Sequence, residues 1–525
     1  MLLVPIVFLP IMVPAYEPHN RTIYVFVVMA VFWLAEVTPL QVTGLLPIAV
    51  MPFLGILDTD DVCKSFLTTS LAIFIGSTIV ALAGEFSNLH THLALGLLTT
   101  IGCSPRRVLF SLIITTGFLS MWMQNTIVVA LMLPIVKAVL NEFEVGGLKI
   151  REENKPDQEE EDREASPIAI GYYLGVCYAA AIGGCGTLIG SATHLAGKGM
   201  YQILYPNATE HITFPRFMVY NLPWVLVALI LLYPILLITN LGLFSPKSET
   251  GVALFNFGIN SKDVAASVRQ KFENIGTINL QEIQILILYL LMIFLLIFQS
   301  PDIMPGWADL IQKKYYITAP TAIIPFVAML FYIPANYVCC KFCCGYGPFP
   351  NKATLPLLSW KYVESNFPWY TILVLGGGYA LAKAFLETGL APWLGNKMTF
   401  FESLPVPILQ FLAIIFGVLI STLRTNVAAC NVVIPLLSEV SRGAKTHPLN
   451  LILPGTMGCS IAFLLPFSTP PNAFIAANAK IGTKKMAIAG IIPTITAILL
   501  IYLTALTWHF ILYPDTKEYP DWAKL

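Results

Sequence analysis

The segment LLPFSTPPNAF, residues 464–474, is apolar enough to lie in a bilayer yet carries Pro466, Pro470, Pro471 and Asn472. Proline removes a backbone donor and cannot sit inside a helix without breaking it. In hydrocarbon each freed carbonyl is costly unless another group replaces its partner. The break therefore has to face protein, water or a ligand.

The 525-residue chain around it is 56% apolar and 11% charged, with a mean hydropathy of +0.74, far outside the range of a soluble domain. This predicts an all-α polytopic membrane protein. At roughly 20 apolar residues per crossing, the apolar runs give about eleven crossings plus two re-entrant hairpins. Residues 1–14 lack the basic start and small-residue cleavage site of a signal peptide, so 3–15 reads as a first crossing. Lys+Arg and Asp+Glu both number 30, which gives no basic surface for nucleic acid. The cysteine cluster VCCKFCC at 338–344 has no second pair or nearby His to complete a tetrahedral metal site. A juxtamembrane acylation site and a chance cluster both remain open for it.

Two long polar interruptions divide the chain. Residues 151–167 are an acidic, solvated connector, and 244–282 form a central linker, expected to be cytoplasmic, between halves 1–243 and 283–525. The halves resemble each other. LSMWMQNTIVVALMLPIV at 119–136 aligns without gaps on ISTLRTNVAACNVVIPLL at 420–437, so that Ser120 meets Ser421, Asn125 meets Asn426 and Pro134 meets Pro435, each 301 positions apart. VALAGEF at 80–86 matches YALAKAF at 379–385. The reading is an internal duplication, with hairpins near 119–140 and 405–440 and broken helices near 178–199 and 459–481. Interrupted apolar segments at matching places in two halves are the sequence sign of a secondary transporter with its site near the bilayer midplane. The prolines of the opening segment would then end a helix at mid-membrane.

Each hairpin turn, QNT at 124–126 and TNV at 425–427, sets a side-chain amide and small polar groups where half-helices meet. Such a turn exposes N–H groups at one helix end and carbonyls at another, suiting an anion on one side and a cation on the other. Simple helix capping is the plainer reading of either turn, and their recurrence argues against it. The breaks supply the other wall. Gly183, Gly184, Gly186 and Gly190 free the backbone, Thr187, Ser191 and Thr193 add hydroxyls, and Ser468, Thr469, Pro470, Pro471 and Asn472 do the same in the second copy. The sequons at Asn20 and Asn207 both fall outside if the N-terminus is cytoplasmic, which also puts the arginines of CSPRR (103–107) inside.

The motifs SMWMQNT, YAAAIGGCGTLIGSAT, TNVA and LPFSTPPNA resemble the divalent anion/sodium symporter family of di- and tricarboxylate and sulfate carriers, and most closely its animal "I'm-not-dead-yet"-like members. The resemblance covers nearly the whole chain. It implies an inverted two-fold repeat, a homodimer in the plasma membrane and an elevator motion of the substrate-carrying part. It also implies substrate contacts from Asn125, Thr126, Asn426, Val427, Thr469 and Pro470, with Gly186, Thr187 and Asn472 beside them. One sodium site would use Ser120, Gln124, Asn125 and the backbone near Gly186. The other would use Ser421, Thr425, Asn426 and the backbone near Phe467 and Ser468. Gln124, Thr425, Thr193 and His194 depart from the usual family residues, and Arg424 stands where a small residue normally offers its carbonyl to sodium.

A permanent cation cannot sit unpaired in the membrane interior without large cost. Arg424 either points into an aqueous vestibule or replaces sodium by binding a substrate carboxylate bidentately, which would weaken sodium dependence. His194 is a weaker cue to proton coupling. The expected activity is transport of citrate and C4-dicarboxylates by sodium-coupled symport or sodium-independent exchange, with sulfate or another inorganic divalent anion as the alternative. No cofactor is expected besides sodium as coupling ion. An enzyme is not expected, since no HExxH, GxSxG or paired-carboxylate motif lies in a crossing, and duplicated broken helices favour alternating access over a channel.

Overall fold

The computed structural model describes residues 3–12, 17–93, 104–145, 147–151, 164–242, 276–301, 304–311, 316–337 and 353–523, with isolated positions at 96, 270, 273, 343 and 345. Among them it is helical with no strand, only two isolated bridges. The helices that position the site are α1 (Pro18–Ala35), α2 (Leu40–Phe53), α3 (Thr69–Phe86), α4 (Pro105–Trp122), α5 (Asn125–Val145), α6 (Pro167–Gly184), α7 (Ala192–Leu204) and α8 (Phe214–Thr239). They continue with α9 (Leu280–Ile297), α10 (Ala319–Tyr332), α11 (Trp369–Glu387), α12 (Leu390–Lys397), α13 (Val406–Leu423), α14 (Asn426–Gly443), α15 (Leu449–Ser460), α16 (Pro470–Ala479) and α17 (Thr483–Leu506). Eight helices among the described residues are long and apolar enough to cross a membrane.

The early apolar stretch departs from expectation. It forms a six-residue helix, Leu3–Phe8, and a 3-10 turn, Leu9–Met12. Together these reach about 17 Å, short of the roughly 30 Å hydrocarbon core, so the described residues 3–12 are not a full crossing. The apolar run 23–55 is two helices, because Glu36 caps α1 in the left-handed conformation and Pro39 starts α2. Most of the acidic connector, the central linker and the cysteine cluster lie outside the described residues. α9 already begins at Leu280, before the expected linker end, and Cys343 is exposed and free.

Packing follows the sequence register. α4 lies along α6 and α13 along α15; α2 packs on α11 and α10 on α3; α5 meets α16 and α7 meets α14. Helices this close need small residues at the crossing. A Cβ on Gly183 of α6 would stand 2.1 Å from the carbonyl oxygen of Gly117 in α4, so nothing larger than glycine allows that approach.

Specific contacts pin the helix ends together. At one end Arg21 Nη1 donates to Leu54 O (2.8 Å), Thr22 Oγ1 to Thr388 Oγ1 (3.0 Å), and His19 stacks on Trp393 of α12. α12 packs on the last turns of α14, where Arg442 Nη2 donates to Leu204 O (3.2 Å). Asn20, in the first turn of α1, and the exposed Asn207, just past α7, therefore share that end.

Candidate functional site

The hairpin helices turn at Met123–Gln124 and at Arg424–Thr425, and the broken helices part at 185–191 and 461–469. Thr469 caps α16 by accepting from Asn472 N (3.3 Å), and Pro470 and Pro471 occupy its first turn. A missing N–H costs nothing there, because the first-turn donors have no helical partner anyway. Ser191 plays the same part for α7, accepting from Thr193 N (3.4 Å). The prolines start a helix rather than interrupt one.

These four interruptions meet at a cavity of about 90 Å³. Its wall takes Gln124, Asn125 and Thr126 from the first hairpin and Thr425, Asn426 and Val427 from the second. Ser191 and Thr193 come from one break, and Thr469, Pro470, Pro471 and Asn472 from the other. Leu40, Tyr370 and Thr371, at the starts of α2 and α11, close the remaining side. Four helix N-termini, those of α5, α7, α14 and α16, thus face one space. Each carries about half a positive charge, and the described lining holds no charged side chain. That arrangement attracts an anion without a fixed counter-charge to compete for it.

Carbonyl ends gather beside it. Ser120 Oγ, fully buried, donates to Ala180 O (2.7 Å) and lies 2.8 Å from Asn125 Oδ1. With its amide turned over, Asn125 instead donates to Ser120 Oγ (2.8 Å), Gly190 O (3.2 Å) and Ala180 O (3.2 Å). With its oxygen on that side, four oxygens converge, which is the donor set a hard cation takes. A Cβ on Gly184 would meet Asn125 Oδ1 at 2.1 Å, so glycine is what lets the amide approach the break.

The second copy repeats the pattern. Ser421 Oγ donates to Val418 O (3.1 Å) and to Ile461 O (3.5 Å), Asn426 Nδ2 donates to Ser460 O (3.4 Å), and Asn426 Oδ1 is buried without a partner among the described residues. Thr187 Oγ1 donates to Met121 O, and Ser468 Oγ to Thr422 O (2.7 Å). Ala180 with Ile461 and Thr187 with Ser468 are each 281 positions apart.

Several expected residues stand elsewhere. Arg424 does not line the cavity. Its Nε donates to Leu34 O (2.8 Å) and its Nη1 pairs with Glu36 at 2.5 Å, because the extended backbone at 424 turns the side chain toward the end of α1. Gly186 packs under Met121, and Thr187, Ser120, Ser421 and Ser468 lie behind the wall. The backbone acceptors beside the amides are Ala180, Gly190 and Ser460, not Gly186 or Phe467. Asn472 touches the cavity, but its amide is already used: Nδ2 donates to Ala462 O (2.7 Å) and Leu465 O (3.0 Å), and Oδ1 accepts from Cys177 Sγ (3.0 Å). It holds the break in shape. His194 bridges the two breaks, contacting Thr187 O (3.3 Å) and Ser460 Oγ (3.1 Å).

Residues 1–514 match the family described as the sodium:sulfate symporter transmembrane region. The chain belongs to that family. It is 40% identical over 535 residues to "Protein I'm not dead yet" of Drosophila melanogaster, covering 100% of this chain and 90% of that protein. It is 31% identical to human Na(+)/dicarboxylate cotransporter 3 (100% and 94% covered) and 30% identical to rat Na(+)/citrate cotransporter (99% and 96% covered). Among solved structures it is similar in fold to the Alcanivorax borkumensis YdaH transporter, with a TM-score of 0.50 at 12% identity and 86% and 87% coverage. Neisseria gonorrhoeae MtrF gives a TM-score of 0.51 at 14% identity and 86% and 83% coverage. The family is one of membrane transporters, not enzymes.

Proposed function

We propose that this member of the family carries di- and tricarboxylates such as citrate and succinate across the plasma membrane, coupled to sodium. The observation that carries the reading is the meeting of four helix N-termini on an uncharged cavity, with clustered carbonyl and amide oxygens directly behind it. An anion fits the first set and a cation the second, so neither binds at full strength without the other. Asn125 and Asn426 belong to both, which makes them the coupling groups. The names of the relatives favour carboxylates over sulfate, the alternative substrate. A guanidinium engaged by Glu36 and Leu34 leaves the partnerless oxygen of Asn426 open to sodium, which favours symport over sodium-independent exchange.

The internal duplication is supported by the paired packing of α4 with α6 and α13 with α15. An elevator is supported by the grouping of hairpins with broken helices, which α3 and α11 border along α7 and α14; the homodimer rests on the family resemblance. With Asn20 and Asn207 at one end, that end is the outer face. The cavity wall at Leu40 and Tyr370 lies toward the opposite, cytoplasmic end, so the site faces inward here. A glycosidase-sensitive mass shift that disappears in Asn207→Gln checks this orientation; modification of neither sequon on the cell surface would overturn it.

The function is tested by radiolabelled uptake into proteoliposomes, with citrate, succinate and sulfate competing and sodium replaced by choline. Sulfate-selective or sodium-indifferent uptake would overturn the reading. Arg424→Ala belongs in the same experiment. Its partly exposed pair with Glu36 links a hairpin tip to α1, and such pairs contribute up to about 1 kcal/mol. The expected result is a rate altered by up to about fivefold, with KM and sodium dependence unchanged. A large rise in KM would return Arg424 to the substrate.

A further inference from the structure

A second cavity, of about 470 Å³, opens at the end of the molecule that carries Asn207. It shares no lining residue with the central one. The starts of α3 (Thr69), α8 (Phe214) and α10 (Ala319) border it, as does His211 in the loop after Asn207. From α7 it receives Lys198, which is only 8% exposed. The neighbours explain the direction. A Cβ on Gly197 would meet Thr456 and one on Gly199 would meet Tyr379, so the two flanking positions take up the faces against α15 and α11, and Lys198 emerges on the third face, into the cavity.

Among the described residues Lys198 has no carboxylate and no hydrogen-bond acceptor. Asp309, the acidic residue of the described lining, is already engaged, its Oδ2 accepting from Gly306 N at 2.9 Å. Asp309 keeps its charge but forms no ion pair with Lys198 among the described residues, and an ammonium withdrawn from bulk water without a paired partner is disfavoured. Three helix N-termini bordering the same space raise the positive potential further. Such a place lacks one thing, a mobile negative charge.

We propose that this cavity is a second anion site, in which Lys198 binds a small multivalent carboxylate or inorganic anion independently of the central site. The test is the thermal unfolding midpoint of the purified full-length protein at constant ionic strength, titrated separately with choline citrate, succinate and sulfate. In Asn426→Ala, which weakens the central site, a saturable upward shift is expected to persist. It should vanish in Asn426→Ala/Lys198→Gln and survive in Asn426→Ala/Lys198→Arg. A shift with citrate and succinate alone identifies a carboxylate ligand; one that includes sulfate identifies general anion recognition. Should the lysine variants fold poorly, His211→Ala at the exposed rim is expected to weaken the titration by up to about fivefold. Because choline salts leave the central site without sodium, an Asn426→Ala titration equal to that of the wild type still reports the second site, and loss of the shift in Lys198→Gln then decides the matter. No saturable shift in Asn426→Ala, or titrations unchanged by loss of Lys198, would overturn the second site.

Discussion

Uptake by Asn426→Ala is expected to fall by about 100-fold or more, with delivery to the membrane preserved. The amide has two duties on the proposed reading: Nδ2 toward a substrate carboxylate and Oδ1 toward the cation behind it. A hydrogen bond to a charged group contributes about 1.5–3 kcal/mol, and loss of two such contacts exceeds the 2.8 kcal/mol or so that corresponds to 100-fold. Folding is spared because the amide's recorded bond to protein is the long one to Ser460 O, at 3.4 Å. Asn125→Ala should abolish uptake as well, although its bonds to Ser120 and the first break make it the costlier change to the fold. Asn426→Asp, of nearly the same shape, brings a negative charge to the anion's place and should do no better than alanine. Radiolabelled citrate uptake normalised to surface protein is the measurement. Near-normal rates in both alanine variants would remove the hairpin amides from the site.

The second large effect is on stability. Arg442 Nη1 donates to both carboxylate oxygens of Glu439, at 3.0 and 3.1 Å, and its guanidinium lies 4.7 Å from the centre of the Tyr205 ring. The side chains are 5% and 0% exposed. Removing one member of such a pair strands a buried charge at a cost of about 3–5 kcal/mol, whereas replacing both with uncharged groups is often close to neutral. Arg442→Met and Glu439→Gln should each lower the unfolding midpoint sharply, and the double variant should recover most of the loss. Detergent-solubilised thermal unfolding reads the result. A double variant as unstable as the sum of the two singles would show that the pair is not coupled. The pair joins the last turns of α14 to the end of α7, so its loss would also loosen a hairpin from a broken helix.

Much of this arrangement is legible in the chain because it rests on side chains with distinctive chemistry at a fixed offset. Asn125 and Asn426, 301 positions apart, mark the two turns, and the TPPN stretch marks the start of α16. The backbone partners are not legible in that way. Ala180, Gly190 and Ser460 contribute carbonyl oxygens, which every residue possesses, so nothing in their identity announces them. Tyr370 and Thr371 open a helix whose repeat motif, YALAKAF, lies farther along it, and they reach the cavity only through tertiary packing. Arg424 was ambiguous because its direction depends on an extended backbone between two half-helices and on an acid 388 positions earlier. Hydropathy likewise gives the length of an apolar run but not its helix type, and the described part of the opening run divides into an α-helix, Leu3–Phe8, and a 3-10 turn, Leu9–Met12.

The exchange of partners between the halves, α2 lying on α11 and α10 on α3, has a consequence for biogenesis. When the ribosome has finished α3, the helix that will cover α2 is still nearly 300 residues from being made. The early half must wait in the membrane with its mating surfaces turned to lipid or to the insertion machinery, and small residues such as Gly44 stay exposed until Gly377 arrives to close against them. The protein is in this sense plaited rather than stacked, and the last strand of the plait makes the earlier ones permanent.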